Sequence, residues 1–109
     1  MQNKYISLLG LARRAGRLSM GHDTVLDSIK KKKSRLIVFA CDISPRLTGE
    51  INAAAQRYMK ALPCVNIPES MKQIHIALGY KAGVISVNDT NFANRILELI
   101  NQEGNEYGD

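Results

Sequence analysis

The chain has no tryptophan, two phenylalanines, two cysteines and three prolines in 109 residues. Phe39 and Phe92 both lie in apolar stretches that read as core, so a stacking platform for single-stranded nucleic acid is not expected from them. Cys41 and Cys64 fall in apolar runs expected to form strands, where a free thiol behaves as a small buried hydrophobe. Two such cysteines make no disulfide framework and fit a reducing, cytoplasmic location. No apolar run approaches the ~20 residues that span a bilayer. The apolar stretch Ile6 to Ala12 is short and is followed, not preceded, by charge, the wrong order for a secretory signal. Low-complexity segments, internal repeats and linkers are missing too. One domain over residues 1–109 is expected, with a polar tail at 102–109 that frays.

What the chain does have is unevenly placed positive charge. The net charge is +5. Residues 1–35 hold nine Lys and Arg against Asp23 and Asp27, a net of +7; the remainder holds six bases against eight acids, a net of −2. Packing does not require this asymmetry, which points to an anionic partner or, more simply, to a solvated basic face.

Gly and Pro stand singly at the ends of alternating periodic segments. Tyr5 to Ala15 has helical spacing and stops at Gly16. Leu18 to Met20 is a short strand that turns at Gly21. Asp23 or Thr24 is then placed to cap a second helix with an apolar stripe of Val25, Leu26 and Ile29 and a last turn made of Lys30 to Lys33. Leu36 to Cys41 is a continuous apolar run, the pattern of a central strand covered on both faces. Ser44-Pro45 opens a third helix. Pro63 to Ile67 is a strand, Ser70 caps a fourth helix that Gly79 ends, Val84 to Val87 is the last strand, and Phe92 to Ile100 a terminal amphipathic helix. This alternation implies a three-layer α/β/α sandwich, with ligand chemistry at the strand ends.

Most chemistry fails on spacing. Gly16 and Gly21 have the glycine interval of a phosphate loop, but His22-Asp23 stands where lysine and a hydroxyl are needed. Cys41, Cys64, His22 and His75 lack the two-to-four-residue intervals of zinc sites, so neither a metal nor another cofactor is expected. No nucleophile elbow is present. Asp42, at a strand end, is the best remaining catalytic candidate, and it has an equally simple use as a turn cap beside Ser44.

Anion binding fits better. Gly21 precedes a helix whose first N–H groups suit a phosphate. Arg13, Arg14 and Arg17 lead towards that turn and could fork onto phosphate or stack on a base, although arginines at a helix end also bond free carbonyls. The lysines at 30–33 complement the helix dipole and could attract RNA as well. With so few aromatics, folded RNA read by shape is the better ligand.

The series Leu9-Gly10-Leu11-Ala12-Arg13-Arg14-Ala15-Gly16-Arg17-Leu18, Gly21-His22-Asp23, Leu36 to Asp42 and Asn91-Phe92-Ala93-Asn94-Arg95 resembles the YlxQ-type bacterial proteins of the kink-turn-binding ribosomal protein superfamily, over about residues 5–101. The resemblance implies a four-stranded mixed sheet inside the α/β/α sandwich, no catalytic activity, and an RNA surface made of two loops. In this sequence those are Gly21 to Thr24 and Pro68 to Gln73. The first would enter the widened groove of a kink turn and read sheared G·A pairs; the second would shield an unstacked nucleotide. Asp23 stands where family members usually have Asn, Thr24 where many have Glu, and Asp27 where they often have Lys. Ionised Asp accepts hydrogen bonds but cannot donate.

The expected function is therefore a non-enzymatic, ribosomal-type protein binding structured RNA, either ribosomal or kink-turn-like, in translation. The expected contacts are Arg13, Arg14, Arg17, Gly21, His22, Asp23, Thr24, Lys30, Pro68, Glu69, Ser70 and Met71. A monomer is expected, with ribosomal proteins as further partners and no membrane or DNA specificity. The rivals are a protein-interaction module docked on the ribosome or transcription machinery, and a small enzyme using Asp42 or His75.

Overall fold

The computed structural model describes residues 3–107, with side chains through Glu103. The chain order is α1 (Lys4–Arg14), β1 (Leu18–Met20), α2 (His22–Lys30), β2 (Leu36–Phe39), α3 (Pro45–Tyr58), β3 (Cys64–Asn66), α4 (Met71–Leu78), β4 (Val84–Val87) and α5 (Thr90–Tyr107). The strands form one sheet in the order β1-β4-β2-β3. β4 is antiparallel to both β1 and β2, and β2 is parallel to β3. The sheet is mixed, and β2 is interior, as its fully apolar run predicts.

Period-two alternation divides the core between two faces. Leu36, Val38 and Ala40 of the β2 segment, with Ile85 and Val87 of β4, meet Leu9, Ile74, Leu78 and Ile96 of α1, α4 and α5. Ile37 and Phe39, with Val84, meet Val25, Ile29 and Ile51 of α2 and α3. Three helices thus cover one face and two the other. Leu9, Ile29, Leu36, Ile37, Ile51 and Ile85 are all inaccessible to solvent.

Helix ends follow local chemistry. Ser44 accepts from the Leu47 N–H, with Pro45 in the first turn of α3. Ser70 and Gln73 form a reciprocal capping box on α4, and Gly79 closes that helix at φ 80°. Asn3 caps α1 by accepting from Ile6, and Asp89 accepts from the Phe92 N–H at the start of α5.

Three expectations need correction. Neither Asp23 nor Thr24 caps α2: its N-cap is Gly21, with no side-chain bond, and the Thr24 hydroxyl instead donates back to the Met20 carbonyl at 2.7 Å. The lysines are not all helical, because α2 closes at Lys30 and Lys32 adopts φ 58° in the turn that follows. Cys41 is exposed, since β2 ends at Phe39 and the chain turns outward there; only Cys64 is partly covered, and burial raises its thiol pKa. Beyond 102, in the segment expected to be a tail, α5 continues to Tyr107, with a Gln102–Glu98 contact at 3.4 Å. Gly108 and Asp109 lie outside the described residues.

A buried polar chain that sequence patterning misses lies between α2 and the sheet. Ser19 and Ser28 hydroxyls are 2.6 Å apart, Ser34 and Ser86 also 2.6 Å, and Asn88 joins the two pairs through bonds to Ser86 and Ser19 at 2.6 and 2.9 Å. Ser86 and Ser34 have no solvent exposure. Apolar neighbours would leave each hydroxyl at a cost; the chain satisfies all of them and fixes how α2 lies on the strands.

Candidate nucleic-acid interface

Strand directions decide which loops meet. Because β4 runs against its neighbours, the carboxyl ends of β1, β2 and β3 share an end of the sheet with the amino end of β4. Gly21, which follows β1, donates its N–H to the Val84 carbonyl at 3.0 Å. Ala40, which follows β2, donates to Gly83 at 2.9 Å. A Cβ placed on Gly83 would stand 3.2 Å from both Ile43 and Met71. The Gly21 to Thr24 and Pro68 to Met71 segments therefore flank the start of β4, although about fifty residues of chain separate them.

In the first segment Gly21 has φ 97°, a left-handed value that favours glycine. His22 bonds Asp23 through Nδ1 at 3.0 Å and Glu50 of α3 through Nε2. Its ring is thus tied to the protein. The Asp23 side chain is 98% exposed. Thr24 uses its proton on a carbonyl, which leaves its oxygen lone pairs as acceptors. The helix N-terminus beyond Gly21 has no side-chain cap, so its dipole and N–H groups remain suited to an anion.

The second segment is held from two sides. Asp42 accepts from the Met71 N–H at 2.9 Å, so it holds the first turn of α4 rather than a turn beside Ser44. Glu69 accepts from Asn3 at 3.1 Å and from the Tyr5 hydroxyl, and its carbonyl accepts from Cys41 at 2.9 Å. Glu69 thus ties the loop to α1. Burial, followed by the bond to and charge of Glu69, pushes the Tyr5 pKa well above the ordinary tyrosine value. Ser70 is occupied as the helix cap. Pro68 is exposed, and Met71 is half-buried against Gly83.

The arginines divide. Arg13 lines a shallow depression of ≈ 340 Å³ with Ser19, Met20, Thr24 and Tyr80, and its Nη1 lies 3.8 Å from a Cβ position on Gly79. Arg14 ends α1, exposed. Arg17 does not lead into the loop: its carbonyl accepts from Asn88 at 2.8 Å, and its Nε is 4.0 Å from Asp89. With three strand residues intervening, Arg17 and Gly21 lie about 13 Å apart at opposite ends of β1. Lys30, at the far end of α2, shares the Arg17 end. Tyr80, 49% exposed, was missed from sequence; its signal is an aromatic directly after the helix-ending Gly79. Its hydroxyl is 3.9 Å from a Cβ position on Gly21.

Among the described residues no group of His, Cys, Asp and Glu could hold a metal ion, and no helix is long and apolar enough to cross a membrane.

A profile described as the ribosomal protein L7Ae/L30e/S12e/Gadd45 family matches residues 3–94. A protein named RNA-binding protein YlxQ from Enterococcus faecium is 28% identical over 99 residues, covering 91% of this chain and 93% of that one. Its namesake from Bacillus subtilis (strain 168) is 26% identical over 102 residues, covering 89% and 95%. A Bacillus halodurans protein of unknown function superposes with TM-score 0.82 at 25% identity, over 92% of this chain and 99% of that one. The Giardia lamblia 15.5kD RNA binding protein shares the fold, with TM-score 0.70 at 18% identity, over 94% and 90%.

Proposed function

The chain belongs to the ribosomal protein L7Ae/L30e/S12e/Gadd45 family, and from that premise we propose that it is a non-enzymatic protein that binds structured RNA at the loop end of its sheet. The observation that carries this reading is the junction at Gly83 and Val84, where two loops from distant parts of the chain are fixed beside a helix N-terminus without a side-chain cap. Two RNA-binding proteins named YlxQ, similar along nearly their whole length, support it.

In this reading the first turn of α2 and Arg13 hold phosphate, while Asp23 and Thr24 meet base edges. Both side chains now offer acceptors only, so they suit exposed base N–H groups and do not suit the guanine O6 and N7 that an Asn amide could also reach. Met71 and Pro68 give the second loop its apolar surface. Glu69 and Ser70, engaged within the protein, shape that loop rather than contact RNA. A kink turn within ribosomal or related RNA is the ligand we propose, with a role in translation.

The test is titration of a consensus kink-turn duplex against the same duplex with its G·A pairs made Watson–Crick. A preference for the kink turn is expected, with log K falling by roughly 0.7–0.9 per phosphate contact for each decade of salt. Equal affinity would remove the kink turn from the proposal, and binding independent of salt would remove RNA.

A further inference from the structure

The far end of the sheet carries a second surface that the loop-end reading leaves unused. A groove of ≈ 440 Å³ opens between the end of α3 and the start of β2. Lys32, Arg35 and Lys60 supply its charge, and Tyr58, Leu62 and Pro63 much of its apolar wall. No carboxylate lines it, and among the described residues none of the three cations is paired with one.

The cations are built in rather than scattered. Lys32 holds φ 58°, a conformation that favours glycine, yet the position carries a lysine. The Arg35 guanidinium locks that turn, its Nη1 donating to the carbonyls of Lys32 and Ser34 at 2.9 Å each. One edge of the fork is thereby spent on the backbone, which orients the rest of it. The Arg57 guanidinium stands 5.5 Å from the Tyr58 ring centroid and steadies it from outside.

We propose that this groove is a second RNA site, taking an unstacked nucleotide of a single-stranded segment that leaves the structured RNA held at the loop end. Phosphates would lie against Lys32, Arg35 and Lys60, and one base against Tyr58 and Pro63. This proposal rests on the RNA-binding reading above. RNA suits the groove better than an acidic peptide because the wall pairs cations without carboxylate partners with an aromatic ring and a proline, the combination that takes a phosphate and a base together. With axes of 35 × 31 × 27 Å, the molecule is small enough for one RNA to reach both ends.

The experiment measures binding of single-stranded oligouridine and of the kink-turn duplex to the full chain and to its Lys32→Gly/Lys60→Gln variant. Glycine suits the backbone at position 32, so the variant is expected to fold, as its melting curve will show. Oligouridine binding should weaken about 25-fold at 0.1 M salt, because each of two lost phosphate contacts contributes ~0.7 decade over the tenfold step from 1 M to 0.1 M salt, while duplex affinity stays within about twofold. Photocrosslinking with 5-iodouridine should then mark Tyr58. Equal losses on both probes, a crosslink at Tyr80 instead, or stronger competition by oligoglutamate than by oligouridine overturns the proposal. If the wild-type chain binds the duplex but not oligouridine, the groove alone is refuted; if it binds neither, the RNA-binding reading falls with it.

Discussion

The two ends of the sheet solve different problems. At the loop end, nearly every polar group is tied down: Asp42 holds Met71, Glu69 holds Asn3 and Tyr5, His22 holds Glu50, and Gly21 hangs on Val84. At the far end the cations Lys32, Lys33 and Lys60 stand exposed without carboxylate partners among the described residues. Shape is therefore concentrated at one end and unpaired charge at the other. Net charge reports only the second, since a hydrogen-bonded loop can select a ligand while contributing little to the overall field.

That contrast predicts that substitutions at the loop end will alter stability and shape recognition, whereas those at the far end will alter salt-dependent affinity. The largest effect is expected from Gly83→Val. Its branched side chain would press on Ile43 and Met71, which already stand 3.2 Å from a Cβ position, and should cost about 2–3 kcal/mol by chemical denaturation with loss of kink-turn preference. An unchanged midpoint would mean that the junction yields and that the loop end is not rigid.

Tyr5→Phe should cost about 1.5 kcal/mol, because a hydroxyl bonded to a carboxylate is lost at a buried position. It also gives a pH signature. The folded-state pKa of Tyr5 is raised, so its contribution is full below the unfolded value near 10 and is lost as pH climbs past it towards the folded value. Wild-type melting temperature should decline above about pH 10 more steeply than that of the variant. Parallel curves would show that Tyr5 does not anchor the second loop through Glu69.

The smallest change sharpens recognition instead of stability. Asp23 is exposed and acceptor-only, so Asp23→Asn restores a donor and removes a repulsive charge without disturbing packing. Kink-turn affinity should rise about tenfold, with little change in oligouridine binding. A rise on both probes alike would reduce the effect to charge and erase the distinction between the ends.

Much of this architecture could be read before folding was considered. Ser44-Pro45, Ser70 with Gln73, and Gly79 mark helix ends through contacts within a few residues, and Leu36 to Phe39 declares a strand buried on both faces. Local spacing misleads where the choice of partner is not local. Thr24 looked like a cap but found the Met20 carbonyl; Cys41 continued an apolar run but fell past the end of its strand; Asp42 lay near Ser44 but capped a helix twenty-nine residues later. Tyr80 and the serine chain beneath α2 left almost no periodic trace, because single polar or aromatic residues acquire meaning only from what is packed beside them.

Spacing along the chain fixes the alternation of helices and strands, the helix ends capped by neighbouring residues, the two apolar faces and the basic excess of residues 1–35. Only the tertiary structure decided which charges and loops act together. Arg17 and Gly21 are four residues apart, yet an extended strand carries them to opposite ends of the sheet. Gly21 and Met71 are fifty apart, yet both lie against the Gly83–Val84 junction, because the chain reverses direction into β4 between them.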